Sequence, residues 1–133
     1  MARFVLLRHE FSPSHPKGSH WDFMLEAGEH LATWTLAELP AAWISSLDTS
    51  VAETSDAGVR AVRIHDHRLA YLDYEGPVSN DRGVVSRCDR GDFDVEAWSD
   101  DMCRVALRGN KLRGVAELHR VRGEAWELRC LWS

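Results

Sequence analysis

Long apolar runs, clustered cysteines and low-complexity tracts are all missing from this sequence. No apolar stretch approaches the roughly 20 residues that cross a bilayer as a helix, so no membrane association is expected. The three cysteines, Cys88, Cys103 and Cys130, are odd in number and far apart, which argues against a disulfide framework. They also lack the CxxC spacing of a zinc site. The N-terminus carries no signal-peptide pattern, and a reducing cytoplasm is the expected setting. Lysine and arginine are absent between Gly18 and Val59, where seven carboxylates lie. With a formal net charge of −5, that argues against a general nucleic-acid binder.

What is present reads as one globular domain, residues 1–133, mainly β. Ala2 to Arg8 suits a first strand. Phe11 to Gly18, with Pro13, Pro16 and Gly18, is a loop. His20 to Glu26 is a second strand, and Gly28-Glu29 tips a hairpin into Leu31 to Leu36. Pro40 to Leu47 suits one or two helical turns, Asp48 to Gly58 a surface loop and Val59 to Ile64 a strand. His65 to Tyr71 reads as a short helical turn. Five short apolar-rich segments follow: Gly83 to Arg87, Phe93 to Trp98, Met102 to Leu107, Leu112 to Leu118 and Ala125 to Trp132. The turn signals between them predict a small closed antiparallel barrel of about eight strands, with one or two short helices and a site at its mouth. From Arg60 onward arginine greatly outnumbers lysine. Arg104, Arg108, Arg120, Arg122 and Arg129 fit the wet faces of those strands.

The chemistry concentrates in His20-Trp21-Asp22-Phe23-Met24-Leu25-Glu26. Its period of two puts Trp21, Phe23 and Leu25 on one face and His20, Asp22, Met24 and Glu26 on the other. His20 and Asp22 then stand about 6–7 Å apart along the strand. His9, which ends the first strand, completes a two-histidine, one-carboxylate set suited to Mn or Fe(II). For each histidine taken alone, a structural role remains the alternative. His67 is the candidate general acid or base, because imidazole titrates near neutrality. On a helical turn Tyr71 would share its face and donate to an oxyanion, with simple packing as the alternative. His30 and His119 read as surface residues, and His15 as solvent-exposed in its loop.

Taken together, His9 and the run His20 to Glu26 resemble the signature of the 3′-phosphoesterase domain of bacterial ligase D, the non-homologous end-joining ligase. Trp34, Asp66-His67-Arg68-Leu69-Ala70-Tyr71, Tyr74-Glu75-Gly76 and Leu107-Arg108-Gly109-Asn110-Lys111-Leu112-Arg113-Gly114 are similar to further motifs of that family. The resemblance implies a compact β-barrel that binds Mn²⁺, or another divalent transition metal, and removes 3′-phosphates or 3′-ribonucleosides from DNA ends. His9, His20 and Asp22 would be the metal ligands, while His67 and Tyr71 would engage the scissile phosphate. DNA or RNA/DNA 3′ ends are the implied partners, together with a separate DNA ligase or end-joining protein, and the chain is expected to be a monomer.

Two departures from the family pattern stand out. Met24 replaces a signature arginine, which removes a charge-assisted phosphate contact and is expected to weaken activity. Arg8, Lys17, Arg63 and Arg68 are the candidates to supply phosphate-binding charge in its place. The loop between His9 and His20 is also longer than in the family, and it brings His15 and Lys17 close to the site. Alternative readings are a non-catalytic module that binds metal and nucleic-acid ends and, more remotely, a non-haem Fe(II) oxygenase.

Overall fold

The computed structural model describes residues 2–12, 14–15, 18–47, 58–78 and 83–131. Among them are nine strands: β1 (Arg3–Glu10), β2 (His20–Ala27), β3 (His30–Leu36), β4 (Val59–Arg68), β5 (Gly76–Pro77), β6 (Val84–Trp98), β7 (Met102–Gly109), β8 (Arg113–Arg122) and β9 (Ala125–Leu131). Helix α1 (Ala41–Leu47) follows β3, and a 3-10 turn (Leu69–Leu72) follows β4. Eight strands close in the order β1-β2-β3-β4-β9-β8-β7-β6, with β6 pairing back onto β1. The two-residue β5 adds to β6. No described helix is long and apolar enough to cross a membrane.

Alternation along each strand builds two cores. Phe4 and Leu6 of β1, Phe23 and Leu25 of β2 and Trp34 and Leu36 of β3 face inward, against Val105, Leu118 and Leu128 from the far wall. Each such side chain contributes roughly 1.5–3 kcal/mol on burial. On the opposite face of β1 and β2, Val5, Leu7 and Met24 form a smaller cluster with Leu31, Val85 and Leu72 of the 3-10 turn. These two strands are therefore covered on both sides, and Phe4 to Leu7 are all fully buried. Residues 69–78 lie over the outer face as a strap. Two ion pairs tie it to β6: Asp73 with Arg90 at 2.8 Å, and Glu75 with Arg87.

Several sequence expectations change here. The segments Gly83 to Arg87 and Phe93 to Trp98 are one continuous strand, β6, because Gly91 marks a close approach rather than a turn. A Cβ at Gly91 would sit 2.3 Å from the carbonyl oxygen of Arg108 on β7. A register shift against Leu6/Leu7 bends β6, so its first half pairs with β1 and its second half with β7. His65 to Arg68 are strand rather than helical turn. Arg68 and His67 pair with His30 and Leu31 past a bulge in the β3–β4 ladder, and the 3-10 turn begins only at Leu69. The loop expected at Asp48 to Gly58 lies outside the described residues up to position 57. The arginines expected on wet faces are there: Arg104 pairs with Glu117, Arg108 with Asp94, Arg120 with Asp101 and Arg129 with Glu127.

One buried carboxylate fixes the β7–β8 turn. Asp89, 4% exposed, accepts hydrogen bonds from the backbone N–H of Lys111 at 3.0 Å and of Leu112 at 2.7 Å. Replacing it with alanine strands both donors. Asp89→Ala is expected to lower unfolding free energy by about 1–3 kcal/mol, read from urea denaturation.

Candidate metal centre and catalytic cleft

The antiparallel register sets His9 directly opposite His20, Leu7 opposite Asp22 and Val5 opposite Met24. His9, His20, Asp22 and Met24 thus share one face, as the alternation predicts. It is the outer face of the wall, beneath the strap. The expected position at the barrel's mouth is corrected accordingly, because the inner face of the same strands is filled by Trp21, Phe23 and Leu25.

The three predicted ligands converge. One donor atom from each of His9, His20 and Asp22 lies within 4.8 Å of the others, forming a group able to hold a metal ion. Asp22 is 3% exposed, and its two oxygens lie 3.6 Å from His9 Nδ1 and 3.2 Å from His20 Nε2. Thr35, opposite Asp22 on β3, donates its hydroxyl to Asp22 Oδ1 at 2.8 Å. Burial alone would raise the Asp22 carboxyl; the hydrogen bonds from His20, His9 and Thr35 outweigh it and hold the group well below the ordinary carboxylate range. His20 Nδ1 donates to the Gly18 carbonyl at 3.2 Å, which leaves Nε2, 3.2 Å from Asp22 Oδ1, as the ring nitrogen placed to face a cation. Two imidazoles and an ionised, oriented carboxylate fit a divalent transition metal.

These ligands line a cleft of about 190 Å³ together with Thr35, Met24, His65, His67, Tyr71 and His15. His67 Nδ1 donates to the His65 carbonyl at 3.0 Å, which leaves Nε2 as its titrating nitrogen. Burial lowers the His67 pKa, partly offset by that bond and by the charge of Asp22. Tyr71 meets the His67 ring edge-on, with centroids 5.4 Å apart. The pair forms because the 3-10 turn folds back over the wall, not through the helical spacing expected of them. Met24 is 1% exposed and belongs to the apolar floor.

The described candidates for phosphate-binding charge, Arg8, Arg63 and Arg68, lie outside the cleft lining. Arg8 projects to the opposite face of β1, its guanidinium 4.2 Å from the Trp21 ring centroid. Arg68 is exposed beside His67 and outside the cleft lining. Arg63, opposite Trp34 in the β3–β4 ladder, lies 4.6 Å over that ring. Lys17 lies outside the described residues. His15, expected in solvent, instead lines the cleft half-buried. His30 is exposed, and His119 pairs with Glu117 on the surface.

Thr35, Phe11 and His65 were not anticipated as site residues. Thr35 was within reach of the sequence, since counting outward from Gly28-Glu29 places it opposite Asp22. Phe11 and His65 offered no comparable signal; one sits in an irregular loop and the other on a strand read as helical.

Fold and site together define a small antiparallel barrel with a candidate transition-metal centre on its outer wall. The chain belongs to the family described as the DNA Ligase D 3′-phosphoesterase domain, which matches residues 12–120. Its curated relatives include the multifunctional non-homologous end joining DNA repair protein LigD of Mycobacterium tuberculosis (strain ATCC 25618 / H37Rv). The multifunctional non-homologous end joining protein LigD of Mycobacterium bovis (strain ATCC BAA-935 / AF2122/97) is another. Each is 26% identical over 130 residues, covering 92% of this chain. The chain spans about 15% of the length of these relatives. The family's description gives it a 3′-phosphoesterase role, and non-homologous end joining is what those relatives are named for.

Thr35→Val keeps the shape of the threonine side chain and removes the hydrogen bond to Asp22. It is expected to lower affinity for Mn²⁺ about 10- to 100-fold by calorimetry. His20→Ala and Asp22→Ala should abolish binding, with His30→Ala as the unaffected control.

Proposed function

We propose that this domain is a metal-dependent 3′-phosphoesterase that removes 3′-phosphates or 3′-ribonucleosides from DNA ends during end repair. One observation carries the reading: His9, His20 and Asp22 share a single cleft with His67 and Tyr71, in a chain of this family. The family favours this reading over an Fe(II) oxygenase. His9, His20 and Asp22 would hold the cation, Mn²⁺ by expectation, which when bound supplies a Lewis acid for a phosphoryl oxygen and acidifies water.

The chain's own residues do the rest. His67 stays neutral near pH 7, because its pKa lies below the usual imidazole value. Its Nε2 accepts the proton of an attacking water and returns it to the leaving oxygen. Tyr71 donates its hydroxyl to a non-bridging phosphoryl oxygen. Ile64, Leu7 and Val85 line the apolar side of the cleft and limit water around the phosphate.

Among the described residues the cleft lining includes no lysine or arginine. Lys17 and Arg68, next in sequence to the His15 loop and to His67, are the cations proposed to steer phosphate toward the cleft. Arg8 joins them only by leaving Trp21. Met24 in the floor, where the family carries arginine, is proposed to weaken phosphate binding. A separate ligase or end-joining protein, a monomeric state and a cytoplasmic setting complete the proposal.

With Mn²⁺, the purified protein should release phosphate from a 3′-phosphorylated primer–template, and chelation or Asp22→Ala should stop it. His67→Ala should slow turnover by on the order of 100-fold or more. Binding of the primer–template without release would instead favour the non-catalytic module. Met24→Arg is expected to raise the rate of release in the same assay, and a fall would mean that the floor is built around methionine.

A further inference from the structure

Behind the metal ligands, on the inner side of the same wall, lies a second recess. Arg8 precedes His9 on β1 and pairs with Trp21, which follows His20 on β2. Alternation turns Arg8 and Trp21 inward at the end of the barrel where the two histidines turn outward. Trp21, Cys88 and Lys111 line a pocket of about 230 Å³ there, with Leu39 and Leu47 on its apolar side. The Arg8 guanidinium lies over the Trp21 ring, 4.2 Å from its centroid.

This recess carries positive charge that no described carboxylate pairs. Arg87, Arg90, Arg104, Arg108, Arg120 and Arg129 each face a carboxylate, and that includes Arg87 at the edge of the pocket, held by Glu75. Among the described residues, Arg8 and Lys111 enter no ion pair. Both charges bear on the Cys88 thiol, which puts them around one pocket. Burial still raises that thiol, so no thiolate competes for the cations. The described lining holds no carboxylate, and the neighbouring Asp89 is engaged by the backbone N–H groups of Lys111 and Leu112.

We infer that this pocket is a second phosphate subsite, where Lys111 and the Trp21-seated Arg8 hold a phosphodiester of the DNA strand whose 3′ terminus lies in the metal cleft. The inference rests on the phosphoesterase reading for the position of that terminus. Its own support is separate. A chain of net charge −5, with no lysine or arginine in the described cleft lining, needs local positive charge elsewhere to hold a polyanion. Stacked on an indole, a guanidinium keeps N–H groups at its edge for a phosphate, and lysine adds a point charge. The pocket and the metal ligands occupy neighbouring positions of the same two strands, so one DNA strand bending over the rim meets both.

The test follows binding with Mn²⁺ present over a series of salt concentrations. The probe is a single-stranded DNA ending in a 3′-methylenephosphonate, whose carbon–phosphorus bond resists hydrolysis. Lys111→Gln and Arg8→Gln should each make the slope of log K against log salt shallower by about 0.7, the loss of one phosphate contact to a single strand. Lys111 is exposed, so its replacement leaves the fold intact. Arg122→Gln removes the same charge from the exposed end of β8 and should keep the native slope. Thymidine 3′-methylenephosphonate, which has no phosphodiester, should bind Lys111→Gln as it binds the native protein. A native slope in Lys111→Gln, or an equal loss in Arg122→Gln, would overturn the subsite. Weaker binding of the thymidine probe to Lys111→Gln would do so too, by placing that charge at the terminal phosphate. Failure of the phosphoesterase reading would show differently, as the expected slopes without phosphate release from the primer–template.

Discussion

The pairing of β1 with β2 is the constraint from which the site follows. His9 opposite His20, with Asp22 two residues further along the same face, brings three donor groups together. A slip of one residue would turn either strand's donors toward the main core and its apolar residues toward the strap. The register is held by burial on both faces, with Phe4, Leu6 and Phe23 inside and Val5, Leu7 and Met24 outside. Asp22 depends on the same arrangement. A carboxylate that is 3% exposed remains ionised because His9, His20 and Thr35 surround it.

The two cores divide the structural tasks. The inner one closes the eight-stranded wall, while the outer one seats the 3-10 turn through Leu72 and so carries Tyr71 to His67. The ion pairs of Asp73 and Glu75 with β6 hold the remainder of the strap. Met24 takes part in both structure and site, as a floor residue of the cleft and a member of the outer core.

The barrel and the donor triad were legible in the sequence for a simple reason. Period-two alternation survives in β2, and turn residues such as Gly28, Asn110 and Gly123 punctuate the hairpins. Three features were not legible. Gly91 looks like a turn residue, although it serves the close packing of β6 on β7. His65 to Arg68 continue β4 only because β3 is there to pair with them. The side of the wall that bears the site depends on which apolar set fills the barrel, and β1 is buried on both faces. The candidate phosphate-binding cations were the least legible element, since Arg8 and Arg63 both settle on tryptophan rings.

A candidate site turned outward also changes what could reach it. The interior of an eight-stranded barrel is just wide enough to be filled by side chains, and here Trp34, Trp126 and their neighbours occupy it. Chemistry on the exterior is freed from that diameter. A bulky polymer can be approached sideways, with only its terminus entering the recess while the bulk of the chain stays in solvent.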